Sequence, residues 1–91
     1  MIVTKTEVEV VNKLGLHARA SAKLTQMAAR YPCAVHLSRN GKRVNAKSIM
    51  GVMMLAAEEG ATIVVKADGP DESQALEIIR ELVDGKFGGE P

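Results

Sequence analysis

The chain has 91 residues, 46% of them apolar and 25% charged, and 12 basic against 11 acidic side chains leave a formal charge of +1. That length fits a single domain, 1–91, with a small core, and the apolar and charged fractions are ordinary for a folded protein, which argues against disorder. The near-zero charge removes the strongly basic field that nucleic-acid and membrane-surface binders use, and two aromatics, Tyr31 and Phe87, give almost nothing on which bases could stack.

Residues 2–11 (IVTKTEVEVV) alternate. Thr6, Val8 and Val10 point one way and Lys5, Glu7 and Glu9 the other, which predicts a half-buried strand. Gly15 then marks a turn. Residues 18–30 are alanine-rich without Gly or Pro, and Ala20, Leu24, Met27 and Ala28 recur at helical spacing, so a helix is expected to pack by that face and to stop before Pro32. In the next segment, 33–38, Cys33, Val35 and Leu37 alternate with Ala34, His36 and Ser38. Asn40-Gly41 is a strong hairpin signal, and 42–46 is the returning strand. Residues 48–57 predict a short helix with Ser48 as N-cap, ended by Gly60. Residues 61–67 predict a strand with Ile63 and Val65 inward. Asp71 and Gln74 resemble a capping box for a last helix over 72–84, with Ala75, Ile78, Ile79 and Leu82 buried. Residues 85–91 are expected to fray.

The order β-α-β-β-α-β-α predicts one antiparallel sheet with the helices on one face and the other face wet. The lone Cys33 allows no internal disulfide. No signal segment is read, and no apolar run approaches the ~18 residues of a spanning helix. A cytoplasmic protein without membrane insertion is the expectation.

Chemistry concentrates in Gly15-Leu16-His17-Ala18-Arg19. His17 stands where a helix begins, and helix starts offer unpaired amides and partial positive charge to an anion. Arg19 is a permanent cation two residues on. The arrangement suits a neutral imidazole that accepts and gives up a phosphoryl group, although one His and one Arg also fit a solvated or capping histidine. The second constellation is Lys47-Ser48-Ile49-Met50-Gly51-Val52-Met53-Met54-Leu55. Val52 and Leu55 suit the core. Ile49, Met50 and Met53 share another side, as an adaptable contact surface or as further core. Cys33 and His36 fall on opposite faces of a strand, so no metal site is expected. No cofactor is expected either, since no glycine-rich nucleotide loop has the required spacing.

NKLGLHARASAKL followed by NAKSIMGVMML, with the Asn40-Gly41 turn and the GPDESQAL helix start, resembles the HPr family, the histidine phosphocarriers of the bacterial phosphotransferase system. The resemblance covers nearly the whole chain. It implies an α+β open-faced β-sandwich, a four-stranded antiparallel sheet with three helices on one face. It also implies that His17 takes a phosphoryl group on Nδ1 from enzyme I, beside Arg19, and passes it to enzyme IIA domains for sugar uptake. The chain is then a covalent intermediate rather than an independent catalyst. Ser48 matches the family's regulatory serine, target of HPr kinase/phosphorylase. The implied docking surface is Leu16, Ala20, Lys23, Lys47, Ile49, Met50 and Met53. The family commonly has proline where Ala20 stands. Two other readings stay open: the nitrogen-related paralogue NPr, which signals through its phosphate, and a binding module that is only regulatory.

Overall fold

Alternation and hairpin chemistry set the sheet. The computed structural model describes residues 4–91 and contains β1 (Thr4–Glu9), β2 (Ala34–Arg39), β3 (Lys42–Asn45) and β4 (Thr62–Asp68), all antiparallel, in the order β1-β4-β2-β3. Residues 2 and 3 of the expected first strand lie outside the described residues. Asn40 and Gly41 both take positive φ, 51° and 81°, as a two-residue hairpin between β2 and β3 requires. The register carries an inward row from Thr6 through Val65 and Leu37 to Val44. The next row, Lys5, Lys66, His36 and Asn45, points to the other, open face.

Helices α1 (Ala18–Ala28), α2 (Ile49–Met54) and α3 (Glu72–Asp84) close the apolar side. The expected α+β architecture therefore holds, with one addition, a single closing turn α4 (Lys86–Gly89). No helix among the described residues is long and apolar enough to cross a membrane.

Several local expectations need correction. α1 ends two residues early, because Arg30 and Tyr31 already bond to carbonyls three residues back as the chain tightens toward Pro32. Its buried face is Ala20, Ser21, Leu24 and Ala28, with Met27 only half-buried. Ser21 is accommodated because its hydroxyl donates to Leu16 O at 3.0 Å. α2 stops at Met54, not at 57: Ala56 turns to φ 51°, and that reversal sends Ala57 back toward the loop before α1.

The expected capping box at α3 does not form. Asp71 is left-handed (φ 62°) and makes no side-chain cap. Glu72 instead reaches out of the helix, its Oε2 accepting from Thr4 N at 3.0 Å. The bond from Thr4 holds the Glu72 carboxyl below the usual range, against a smaller opposing effect of burial. α3 also buries Leu76 and Val83 where Ile78 and Leu82 were expected; those two lie half-buried at the flank of the core.

The largest correction concerns residues 85–91. They do not fray, because Phe87 is fully buried in the core and ties the segment down. Phe87→Ala is expected to destabilise the protein by about 3 kcal/mol in urea unfolding, as for other buried aromatic truncations. A frayed tail would leave the midpoint unchanged.

Candidate functional site

The loop between β1 and α1 is fixed by backbone contacts that only certain residues allow. Val10 continues the ladder, exchanging bonds with Ala61 O (2.9 Å) and Gly60 N (2.8 Å). Asn12, fully buried, donates through Nδ2 to Gly15 O at 2.7 Å and to Pro91 O at 3.0 Å. Gly15 has φ +63°, and a Cβ there would strike the Ala57 carbonyl and approach Glu58 Cα to 2.8 Å. Glycine alone allows that approach. Beside it, Leu16 N donates to Ala57 O at 2.9 Å.

His17 follows at the N-cap of α1 with extended backbone (φ −70°, ψ 177°). Its carbonyl accepts from Ser21 N at 2.8 Å, while its side chain makes no cap. The ring's Nε2 is buried without a hydrogen-bond partner. No acidic residue occupies the first turn of α1, so its amides have no side-chain acceptor and keep their partial positive charge.

Two cations stand on the same helix. Arg19 is 79% exposed and its guanidinium lies 3.4 Å from Glu90 Oε2. Lys23 Nζ is 2.7 Å from the same oxygen and donates to Phe87 O at 3.0 Å. Glu90 itself is only 5% exposed. The Lys23 bond holds its carboxyl below the usual range, against burial, and the charges of Arg19, Lys23 and His17 add to the effect. Sequence reading missed Glu90, because nothing in GKFGGEP announces that Phe87 will anchor it.

Ser48 caps α2 as expected, its Oγ accepting from Gly51 N at 3.1 Å. Ile49, Met50 and Met53 are exposed, Met50 to 70%, whereas Val52 and Leu55 are buried. Met54 and Leu14 extend the exposed apolar surface and were not anticipated. Lys47 is half-buried, its Nζ pinned to Tyr31 O at 2.7 Å. Leu16 and Ala20 do not belong to any surface: they are 5% and 0% exposed, since one backs the loop onto the core and the other lies on the inner face of α1. Cys33 is buried in the core, whereas His36 is on the open face of the sheet, where Arg43 donates to its Nδ1 at 3.1 Å. Burial first, then the charges of Arg43 and Lys66, disfavours the charged form of His36 and lowers its pKa.

The geometry thus gathers His17, Arg19, Lys23 and Glu90 at the start of one helix, with an exposed methionine-rich helix packed against it. Comparison with known proteins identifies the family. The family described as PTS HPr component phosphorylation site matches residues 4–84. The phosphocarrier protein HPr of Cupriavidus necator is 57% identical over 79 residues, covering 87% of this chain and 89% of that protein. That of Neisseria meningitidis is 50% identical over 84 residues, covering 92% and 94%. Among solved structures, HPr of Thermoanaerobacter tengcongensis superposes with a TM-score of 0.92 at 38% identity, covering 97% of this chain and 99% of that one.

A carboxyl group with depressed pKa stabilises the state that contains its partners as long as it stays ionised. The contribution of Glu90 to docking is therefore complete above its ordinary value of 4.5 and disappears as pH falls below that. Amide resonances of Phe87 to Glu90 are expected to move toward unstructured positions on acidification below pH 4.5, before the strands melt. Glu90→Gln should abolish this separate step.

Proposed function

This chain belongs to the PTS HPr family of phosphocarrier proteins, and from that premise we propose that it carries the phosphoryl group on His17 Nδ1 in the cytoplasm, accepting it from phospho-enzyme I and delivering it to enzyme IIA components for sugar uptake. One observation supports this reading most: His17 stands at the start of α1 with a side chain that caps nothing, its Nε2 is buried, and no acidic residue occupies the first helical turn.

The chemistry follows from that placement. The Nδ1 lone pair attacks phosphorus on the donor's phosphohistidine. The new N–P bond forms as the donor's N–P bond breaks, and the imidazole proton stays on Nε2. The phosphoryl oxygens gain charge-assisted bonds from the first-turn amides of α1 and from Arg19. Arg19 is 79% exposed, so solvent rather than packing surrounds its guanidinium, which lies 3.4 Å from Glu90 Oε2. Delivery runs the same steps backward onto the next histidine. The protein is an intermediate in catalysis by its partners, so encounters need a small, partly apolar interface that forms and parts quickly. Ile49, Met50 and Met53 supply the apolar part.

Ser48 is the regulatory position in the same reading, as a target of HPr kinase/phosphorylase. A phosphate there adds roughly two negative charges beside Met50 and Met53. It can keep the cap to Gly51 N, so the helix survives while docking suffers.

Incubation with phosphoenolpyruvate and enzyme I is expected to give an acid-labile label on His17, and His17→Ala is expected to take none while remaining folded. An acid-labile label retained in that variant places the site elsewhere, and a solely acid-stable label makes the protein a regulatory module. Ser48→Asp, which preserves a cap, should raise the KM for enzyme I about tenfold, or ~1.4 kcal/mol. An unchanged KM removes Ser48 from the control of docking.

A further inference from the structure

Glu90 is a buried carboxylate in the middle of a cationic site, and the segment that bears it is held in an unfavourable backbone. Lys86, Phe87, Gly88 and Gly89 all have positive φ, at 57°, 56°, 78° and 104°. Two of these are side-chain-bearing residues that disfavour the left-handed region. The turn persists because it is clamped from several sides. Phe87 fills the core, Lys23 donates to Phe87 O, Asn12 donates to Pro91 O, and Glu90 Oε2 meets both Lys23 and Arg19.

The last of these clamps uses Arg19, which a phosphoryl group on His17 also requires. His17 is the N-cap of α1 and Arg19, whose guanidinium meets Glu90, lies two residues on in the same helix. A phosphoryl group there carries about two negative charges at neutral pH, and a carboxylate beside it meets repulsion in place of attraction. Each N–H that turns to the phosphoryl oxygens is withdrawn from the carboxylate.

We propose that Glu90 is a placeholder for the phosphoryl group: its carboxylate occupies Arg19 and Lys23 while His17 is bare, and phosphorylation of His17 drives it off and frees the strained 86–89 turn. Glu90 acts through Arg19 and is a positioning residue for transfer. It keeps the guanidinium near the site without a ligand, and it competes with the phosphoryl group for it, which favours release to the next carrier. This rests on His17 being the phosphorylated residue. Nothing covalent changes at Glu90 itself.

The test uses the full chain, labelled with nitrogen-15 and treated with phosphoramidate, a small-molecule phosphoryl donor, with phosphorus NMR to locate the label. Phosphorylated His17 should shift the amides of Phe87 to Glu90 and quicken their hydrogen exchange by about tenfold or more. In Glu90→Gln, the segment should exchange fast already. The phosphoryl equilibrium of this variant with phospho-enzyme I should shift toward the labelled protein by about fivefold or more, the lower end of a coupling between sites. Glu90→Asp, which keeps the charge, should remain near the parent equilibrium. A Glu90 that only packs the tail would alter exchange in the variants and leave that equilibrium unmoved. If no label reaches His17, the phosphocarrier assignment of that residue fails and the placeholder with it. If His17 is labelled while residues 87–90 stay protected, or if Glu90→Gln leaves the equilibrium unmoved, the placeholder alone is overturned.

Discussion

The placement of His17 depends on one backbone hydrogen bond, from Leu16 N to Ala57 O. It joins the loop entering α1 to the segment leaving α2, two stretches far apart in sequence. The bond is possible only because Gly15 has no Cβ to meet the same carbonyl and because Ala56 turns the chain back after a short α2. Ser21 then holds Leu16 O from the far side, and Asn12 holds Gly15 O. With the residue before it tied at both its amide and its carbonyl, and its own carbonyl in the first helical bond, His17 has little backbone freedom left. A histidine at a helix start is commonplace; one whose backbone is fixed while its ring caps nothing is ready to meet a ligand without reorganisation.

Much of this was legible in the residues. Strand alternation placed Val35, Leu37, Ile63 and Val65 correctly inward, and Asn40-Gly41 announced its turn, because these signals are local and do not depend on distant partners. The cap at Ser48 and the burial of Val52 and Leu55 were equally local, whereas the residues alone left Met50 open between surface and core. What escaped was tertiary. Nothing near Ala56 in the sequence says that α2 must stop early to supply a carbonyl to Leu16. Nothing in GKFGGEP says that Phe87 is a core residue, since glycine on both sides reads as a loose end. Leu16 and Ala20 were placed on a surface through resemblance, which carries a neighbourhood from one chain to another but not the direction in which each side chain points. Asp71 had the right residue type for a cap and the wrong backbone for one.

Electrostatics at the start of α1 is weak by construction. Arg19 is largely solvated, so its attraction to any anion is screened and modest. The amides are fixed but neutral. Among the described residues there, Lys23 makes the close ion pair, and it makes it with Glu90. A site built to retain an anion would enclose it; here the cations stay open to water and partly engaged. That suits a protein of a phosphocarrier family, in which uptake and release must lie close in free energy.

The exposed methionines of α2 have a chemical liability as well as a packing role. Thioethers are easily converted to sulfoxides, which exchange a pliable apolar tip for a polar and chiral one. Met50, Met53 and Met54 are exposed, whereas the thiol of Cys33 is shut inside the core. Oxidative stress therefore falls first on the contact face and leaves the interior sound: a damaged molecule stays folded and long-lived, but is a poorer match for whatever it touches until a reductase restores the sulfur.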